Sequence, residues 1–197
     1  MRRCDWAQGE LLVAYHDIEW GMPVHGEQAL FERLSLEAFQ AGLSWATILA
    51  KRPAFRQAFH GFDPEAIASY GERDLERLLA DERIVRNRRK IKAVIANAAA
   101  VLELRGDGGL DRLIWSHKPA RTLAPRSHAE IPTRTPGSAA LAAELRARGF
   151  RFVGPTGCFA LMEAIGLVDT HVLGCHRRGA SGVHPPNTLS ETGQRPG

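Results

Sequence analysis

Four residues of this 197-residue chain are of types that hold zinc: Cys4, His16, His171 and Cys175. His171 and Cys175 are four apart, so one helical turn would aim both the same way, and two thiols with two imidazoles suit a tetrahedral ion. The two pairs lie far apart in the chain. Spacing alone therefore leaves Cys158 or His176 as substitutes, and a plain buried cysteine remains open as well. A second chemical candidate is Glu37, followed by Gly42-Leu43-Ser44-Trp45. A carboxylate on the apolar side of a helix end is costly to bury unless it has a partner or a task. The Gly42-Leu43-Ser44 break would expose Leu43 beside Trp45. A core tryptophan next to a solvated acid explains the same residues.

A third pattern suits a polyanion. Residues 144–166 read as helix, tight glycine-containing hairpin, helix. With Gly154 at the end of the hairpin and Thr156 at the next helix start, successive backbone N–H groups would point outward and accept a phosphate oxygen. On these residues alone a plain helix–helix turn is the favoured reading. Arg83, Arg86, Arg88, Arg89, Lys90 and Lys92 form the densest basic cluster, with Ile84 and Ile91 between them as anchors. Residues 1–82 carry 8 Lys/Arg and 14 Asp/Glu, net −6, and residues 83–197 carry 18 and 8, net +10, which sum to the overall +4. A basic half attracts phosphates because cation contacts release counterions, although solvated helix faces produce similar runs.

The elements that must position these groups read as helices, with little period-two alternation. Residues 27–40 place Leu30, Phe31, Leu34 and Ala38 at helical spacing. Asp63-Pro64-Glu65 is a helix-start signal, residues 72–80 form another helix, and 88–104 carries an Ile91, Ile95, Ala98, Leu102 stripe that ends at Gly106. Pro119, Pro125, Pro132 and Pro136 mark 116–137 as a long connection. Thr135-Pro136 opens a helix to about Arg148, and an apolar helix spans about 157–165. The Gly-, Pro- and Ser-rich segment 177–197 is expected to be a flexible tail.

Composition narrows the class. Hydrophobic residues at 44% and charged residues at 24% are ordinary for a globular domain and argue against fibrous or wholly disordered chains. No apolar run approaches the roughly 18 to 20 residues of a membrane span. Met1-Arg2-Arg3-Cys4-Asp5-Trp6 has no apolar stretch behind its basic residues, so no secretory signal is read and the cytoplasm is the expected compartment. Three cysteines do not make a disulfide framework. No sequence feature points to an oligomer, and a monomer is expected.

Taken together, five blocks closely resemble the constitutive bacterial 3-methyladenine DNA glycosylase I family. They are Cys4-Asp5-Trp6; Ala14-Tyr15-His16-Asp17 with Glu19-Trp20-Gly21; Leu36-Glu37 with Gln40-Ala41-Gly42-Leu43-Ser44-Trp45; Phe150-Arg151-Phe152-Val153-Gly154; and His171-Val172-Leu173-Gly174-Cys175. The match runs to about residue 176. The resemblance implies an all-α helix-hairpin-helix glycosylase, a single catalytic unit over residues 1–176. Its expected partner is alkylated double-stranded DNA, from which it would release 3-methyladenine by monofunctional hydrolysis and leave an abasic site. It also implies one structural zinc on Cys4, His16, His171 and Cys175 that joins the N- and C-terminal segments. By the same resemblance Glu37 is the catalytic carboxylate, Trp6, Tyr15 and Trp45 surround the base, and Gly42 and Leu43 enter the gap in the duplex.

The chemistry of the lesion suits such a pocket. Methylation at N3 makes the adenine ring cationic, so aromatic faces and one carboxylate can favour it over neutral adenine. Extrusion is easier for a damaged base, and its cationic ring is already a good leaving group. There are departures from the family pattern. Leu12 stands where an additional tyrosine can occur, Ala38 replaces a common glycine, and Asp169-Thr170-His171 replaces Asn-Asp-His. Asp169 is a second candidate acid, although a structural role is favoured. The alternatives are a glycosylase of broader alkylpurine range and a zinc-stapled helix-hairpin-helix module that binds DNA without catalysis.

Overall fold

The computed structural model describes residues 1–184, and among these there is no strand. The helices are α1 (Gly9–Ile18), α2 (Glu27–Gln40), α3 (Trp45–Ala58), α4 (Pro64–Ala68), α5 (Glu72–Ala80), α6 (Arg88–Leu104), α7 (Gly109–Ser116), α8 (Pro136–Ala147) and α9 (Pro155–Ala164). The expected helices at 27–40, 72–80 and 88–104 are present with those bounds, and α9 begins two residues earlier than expected. α1, α3 and α7 were not foreseen. α3 carries Pro53 in its interior, and α7 starts at the Gly108-Gly109 pair. Both contain residues that usually end helices, and tertiary burial of Leu49, Phe55, Leu110 and Ile114 outweighs that local signal.

A large core gathers Phe31, Phe39, Phe55, Phe59 and Phe62, none with measurable exposure, against Ile91, Val94, Ala98 and Val101 of α6. A second, smaller cluster joins the N-terminal segment to residues 164–175. It holds Cys4, Tyr15, Trp20, Leu49, Ala164, Val172 and Cys175, with Trp6, Leu12 and Trp45 packed against it. This cluster brings residues some 170 positions apart into one apolar body.

Three contacts position the turns of interest. Lys90 is buried, and its Nζ donates to the carbonyls of Phe39 at 2.8 Å and Ala41 at 2.6 Å, which closes the end of α2. Gly42 follows with φ +84, a left-handed angle that a side chain would oppose, and Ser44 caps α3 by accepting from the Thr47 amide. Asn97 on α6 donates to the carbonyl of Arg151 at 3.0 Å and accepts from its amide at 2.7 Å, so α6 pins the turn between α8 and α9.

The long connection 117–135 contains only a short 3-10 turn at His128–Glu130. The segment expected as a flexible tail holds to the body as far as residue 184. The Gly179 amide donates to Asp169 Oδ2 at 2.7 Å, and buried His184 pairs its Nε2 with the carbonyl of Leu167 at 2.9 Å. Composition misses this because these anchors are polar contacts with residues of the 167–171 loop. Residues 185–197 of that expectation lie outside the described part.

Candidate active site

α2 is buried along almost its whole second half, from Leu34 to Phe39, and Glu37 lies within that run at 8% exposure. Its carboxyl makes no hydrogen bond among the described residues. Burial, aided by the nearby Glu163 charge and partly offset by Arg33, pushes its pKa up to about 8. The carboxyl faces a cavity of about 340 Å³, within the roughly 300 to 1,000 Å³ typical of small-molecule sites. Trp6, Tyr15, Trp20 and Trp45 form its aromatic wall. Tyr15 and Trp45 have ring centroids 5.5 Å apart, Trp6 and Tyr15 6.4 Å, and Trp6 and Trp20 5.0 Å. The indole Nε1 of Trp45 is buried with no acceptor.

Thus the four residues expected at the base pocket, Glu37, Trp6, Tyr15 and Trp45, line one chamber. Leu12 lines it too, as do His128 and Ile131 from the long connection and Glu163 from α9. Sequence reasoning did not single out Trp20, His128, Ile131 or Glu163 as site residues. No spacing signal marks the contribution of the connection, which only the fold brings over the cavity.

An ion network supports the wall from behind. Arg52 donates to both oxygens of Glu19, at 2.6 and 2.7 Å, and Arg33 adds a bond at 3.0 Å. These bonds, Arg52 first, hold the Glu19 carboxyl down at about 2. Because Glu19 closes the end of α1, the network locks Tyr15 against α2 and α3. Burial raises the Tyr15 phenol above its ordinary value, so it stays neutral.

Beside this chamber lies the cysteine and histidine cluster. The ligand atoms of Cys4, His16 and Cys175 fall within 4.8 Å of one another, and all three residues are buried. The His171 ring lies 5.2 Å from that of His16, centroid to centroid, outside that tightest group. Its Nε2 is buried without a hydrogen-bond partner. Both imidazoles set Nδ1 against a carboxylate, His16 on Asp17 at 2.8 Å and His171 on Asp169 at 2.8 Å, which turns each Nε2 toward the cluster; that of His16 lies 3.4 Å from both the Cys4 amide and Cys175 Sγ. Gly21 makes room for this ring, since a Cβ there, at φ +79, would sit 2.6 Å from His171 Cε1. Arg3 clamps Asp17 in turn and holds its carboxyl well below the usual range. Asp169 spends Oδ1 on the amide and ring of His171 and Oδ2 on Gly179, and it does not line the cavity. Cys158 is buried in the main core; the His176 ring lies 5.7 Å from that of His16, but its Nδ1 is paired with the Arg2 carbonyl at 3.0 Å and its Nε2 with Asp17 at 3.4 Å.

The remaining expected residues sit on the outer surface. Leu43 is 39% exposed at the tip of the turn after α2. Gly154 caps α9, Pro155 takes its first position, and Thr156 is exposed in its first turn, where amides have no partner within the helix. Phe152 in the same turn is exposed at φ +57.

Comparison with known proteins places the chain. Residues 6–178 match the model of the family described as methyladenine glycosylase. The chain is 48% identical over 180 residues to DNA-3-methyladenine glycosylase 1 of Escherichia coli (strain K12), covering 89% of this chain and 96% of that protein. It superposes on a crystal structure of 3-methyladenine DNA glycosylase I with a TM-score of 0.86 and 45% identity, covering 93% of this chain and all of the other. A structure addressing 3-methyladenine recognition by the Staphylococcus aureus enzyme gives a TM-score of 0.85 at 33% identity, covering 90% and 97%.

Proposed function

The chain belongs to the methyladenine glycosylase family, and on that premise we infer that it is a DNA base-excision repair hydrolase that releases 3-methyladenine from alkylated DNA. The single observation that carries the reading is a buried carboxyl, Glu37, without a hydrogen-bond partner among the described residues, inside an aromatic chamber. A neutral ligand could at most hydrogen-bond that carboxyl and would leave its charge uncompensated. A cationic purine supplies the missing charge, and its departure from the sugar develops an oxocarbenium ion that an anion stabilises. In this reading Trp6, Tyr15 and Trp45 stack around the extruded base, Glu37 holds it and steadies the transition state, and water attacks the sugar to leave an abasic site. No chain nucleophile is required, which matches a monofunctional hydrolase.

We further propose that α8, the 148–154 turn and α9 form the helix-hairpin-helix grip, with the Gly154 cap and Thr156 toward a backbone phosphate. Leu43, presented by Gly42, fills the space that the extruded base vacates. Residues 1–176 act as one catalytic unit, and the chain works as a monomer in the cytoplasm.

Cys4, His16, His171 and Cys175 would hold one zinc ion. The fit rests on the chemistry of the donors: two thiols, two imidazoles with carboxylate-oriented Nδ1 atoms, and an orphaned Nε2 on His171. Four protein ligands leave no open position, so the ion would supply folding energy by stapling the chain ends next to the pocket wall.

The direct test is incubation of the full chain with methylated duplex DNA, followed by chromatographic identification of the released base. 3-Methyladenine with an intact abasic strand is the expected product. A spectrum that also includes 3-methylguanine and 7-methylguanine indicates the broader enzyme. DNA binding with no base released indicates the non-catalytic module and removes the reading.

A further inference from the structure

The cavity holds a second carboxyl besides Glu37. Ala160, Glu163 and Ala164 line it from α9, at positions i, i+3 and i+4 that share one helix face. The two alanines are short, so Glu163 is the side chain of α9 that reaches inward. Thr170 Oγ1 donates to Glu163 Oε1 at 2.6 Å, which fixes the carboxyl by one oxygen. Among the described residues no other hydrogen bond and no cation is paired with it. Its second oxygen is therefore left for whatever fills the chamber. A merely structural acid in this position would be expected to carry a cationic partner, as Glu19 does.

We propose that Glu163 is a second base-contacting carboxyl that faces the extruded purine together with Glu37 and sets the preference of the pocket for a cationic ring over a neutral one. The proposal deepens the base-pocket reading and rests on it. The physical reason is repulsion relieved by the ligand. Two carboxyls in a small apolar chamber disfavour each other's ionisation, and burial already raises Glu163 to about 7 while its charge helps to raise Glu37. A cationic purine offsets one of the two negative charges when it enters and so lowers the cost of ionising the pair. A neutral purine cannot do so, and the difference in affinity between the two becomes larger than one carboxylate would give.

The experiment is tryptophan-fluorescence titration of the full chain with two probes. One is 3-methyladenine, at a pH where it is neutral. The other is 3,9-dimethyladeninium, a permanent cation whose N9 methyl stands where the sugar is attached in DNA. Glu163→Gln keeps the volume and an oxygen that can accept from Thr170, but removes the charge. The expected result is a cation affinity lower by roughly tenfold, with 3-methyladenine changed by less than about twofold. Equal losses for both probes, or no loss for either, overturn the proposal. Should E163Q melt far below the parent, Thr170→Val makes the same comparison by releasing the Glu163 carboxyl from its one hydrogen bond. A fall in cation preference of about threefold supports the role, and unchanged preference overturns it. A parent that binds neither probe overturns the base-pocket reading itself, whereas a parent that binds both, with E163Q unchanged, overturns only the role of Glu163.

Discussion

Glu37→Gln should stabilise the protein at high pH and do little at low pH, because the site holds an acid in a place that suits its neutral form. The folded pKa of Glu37 is about 8, against an ordinary 4.5. The sign follows from proton binding: between those values the folded state holds a proton that the unfolded state has lost, so stability falls as pH rises. The cost is absent below 4.5, grows up to about 8 and is constant above it. The interval from 4.5 to 8 is 3.5 pH units, and at about 1.4 kcal/mol for each the full cost is roughly 5 kcal/mol, of which roughly 4 accrues between pH 5 and 9. Glutamine cannot ionise. The difference in unfolding free energy between E37Q and the parent, from urea titrations at pH 5, 7 and 9, should therefore grow in favour of the variant by roughly 3 to 4 kcal/mol across that range. Taking the difference between two proteins cancels the titration of groups that do not interact with Glu37; Glu163, which does, titrates more readily in the variant and adds to the gap in the same direction. A gap that is flat with pH would show that Glu37 reaches solvent or a cation, and the reasoning about an unpaired buried carboxyl would fail.

The other consequences concern the staple, the wedge and the hairpin. Metal analysis of the purified chain should give one zinc per molecule, and Cys175→Ser should lose it with a Tm lower by roughly 10 °C or more; a metal-free parent of equal stability refutes the zinc staple. Leu43→Ala should slow excision from duplex DNA by roughly tenfold while leaving free 3-methyladenine binding unchanged, since the side chain acts on the vacated stack; equal rates on duplex remove it from extrusion. Asn97→Ala strips both the donor and the acceptor from the Arg151 backbone, and chemical denaturation should show a loss of about 2 to 3 kcal/mol; a loss under about half a kcal/mol means that the turn holds itself.

What was legible in the sequence divides along physical lines. α2 and α6 were readable because their apolar residues recur at helical spacing and their ends carry breaking residues, and the turn between α8 and α9 was readable from Gly149 and Gly154. α3 was hidden by Pro53, whose cost is outweighed by burial of Ile48, Leu49 and Phe55. Glu37 and Trp45 stood out as a candidate beside a blander reading, and the resemblance decided between the two and added Trp6 and Tyr15. The cysteine and histidine set was readable from residue types and the resemblance, while spacing alone left Cys158 and His176 open, because His16 and His171 meet only when the N- and C-terminal segments do. Glu163 looked like any helix charge. Its inward face depends on the alanines beside it and on Thr170, a contact across the turn after α9 that no local pattern encodes.

The central claim is that Glu37, ionised once a cationic base offsets the cost of its burial, acts in the chemical step, and single-turnover kinetics of 3-methyladenine release from duplex DNA by the parent and by E37Q test it most directly. With enzyme in excess and saturating, the rate for E37Q should fall by roughly a hundredfold or more, about 3 kcal/mol of lost transition-state stabilisation. Release at the parental rate would contradict the claim and leave Glu37 without a part in the reaction.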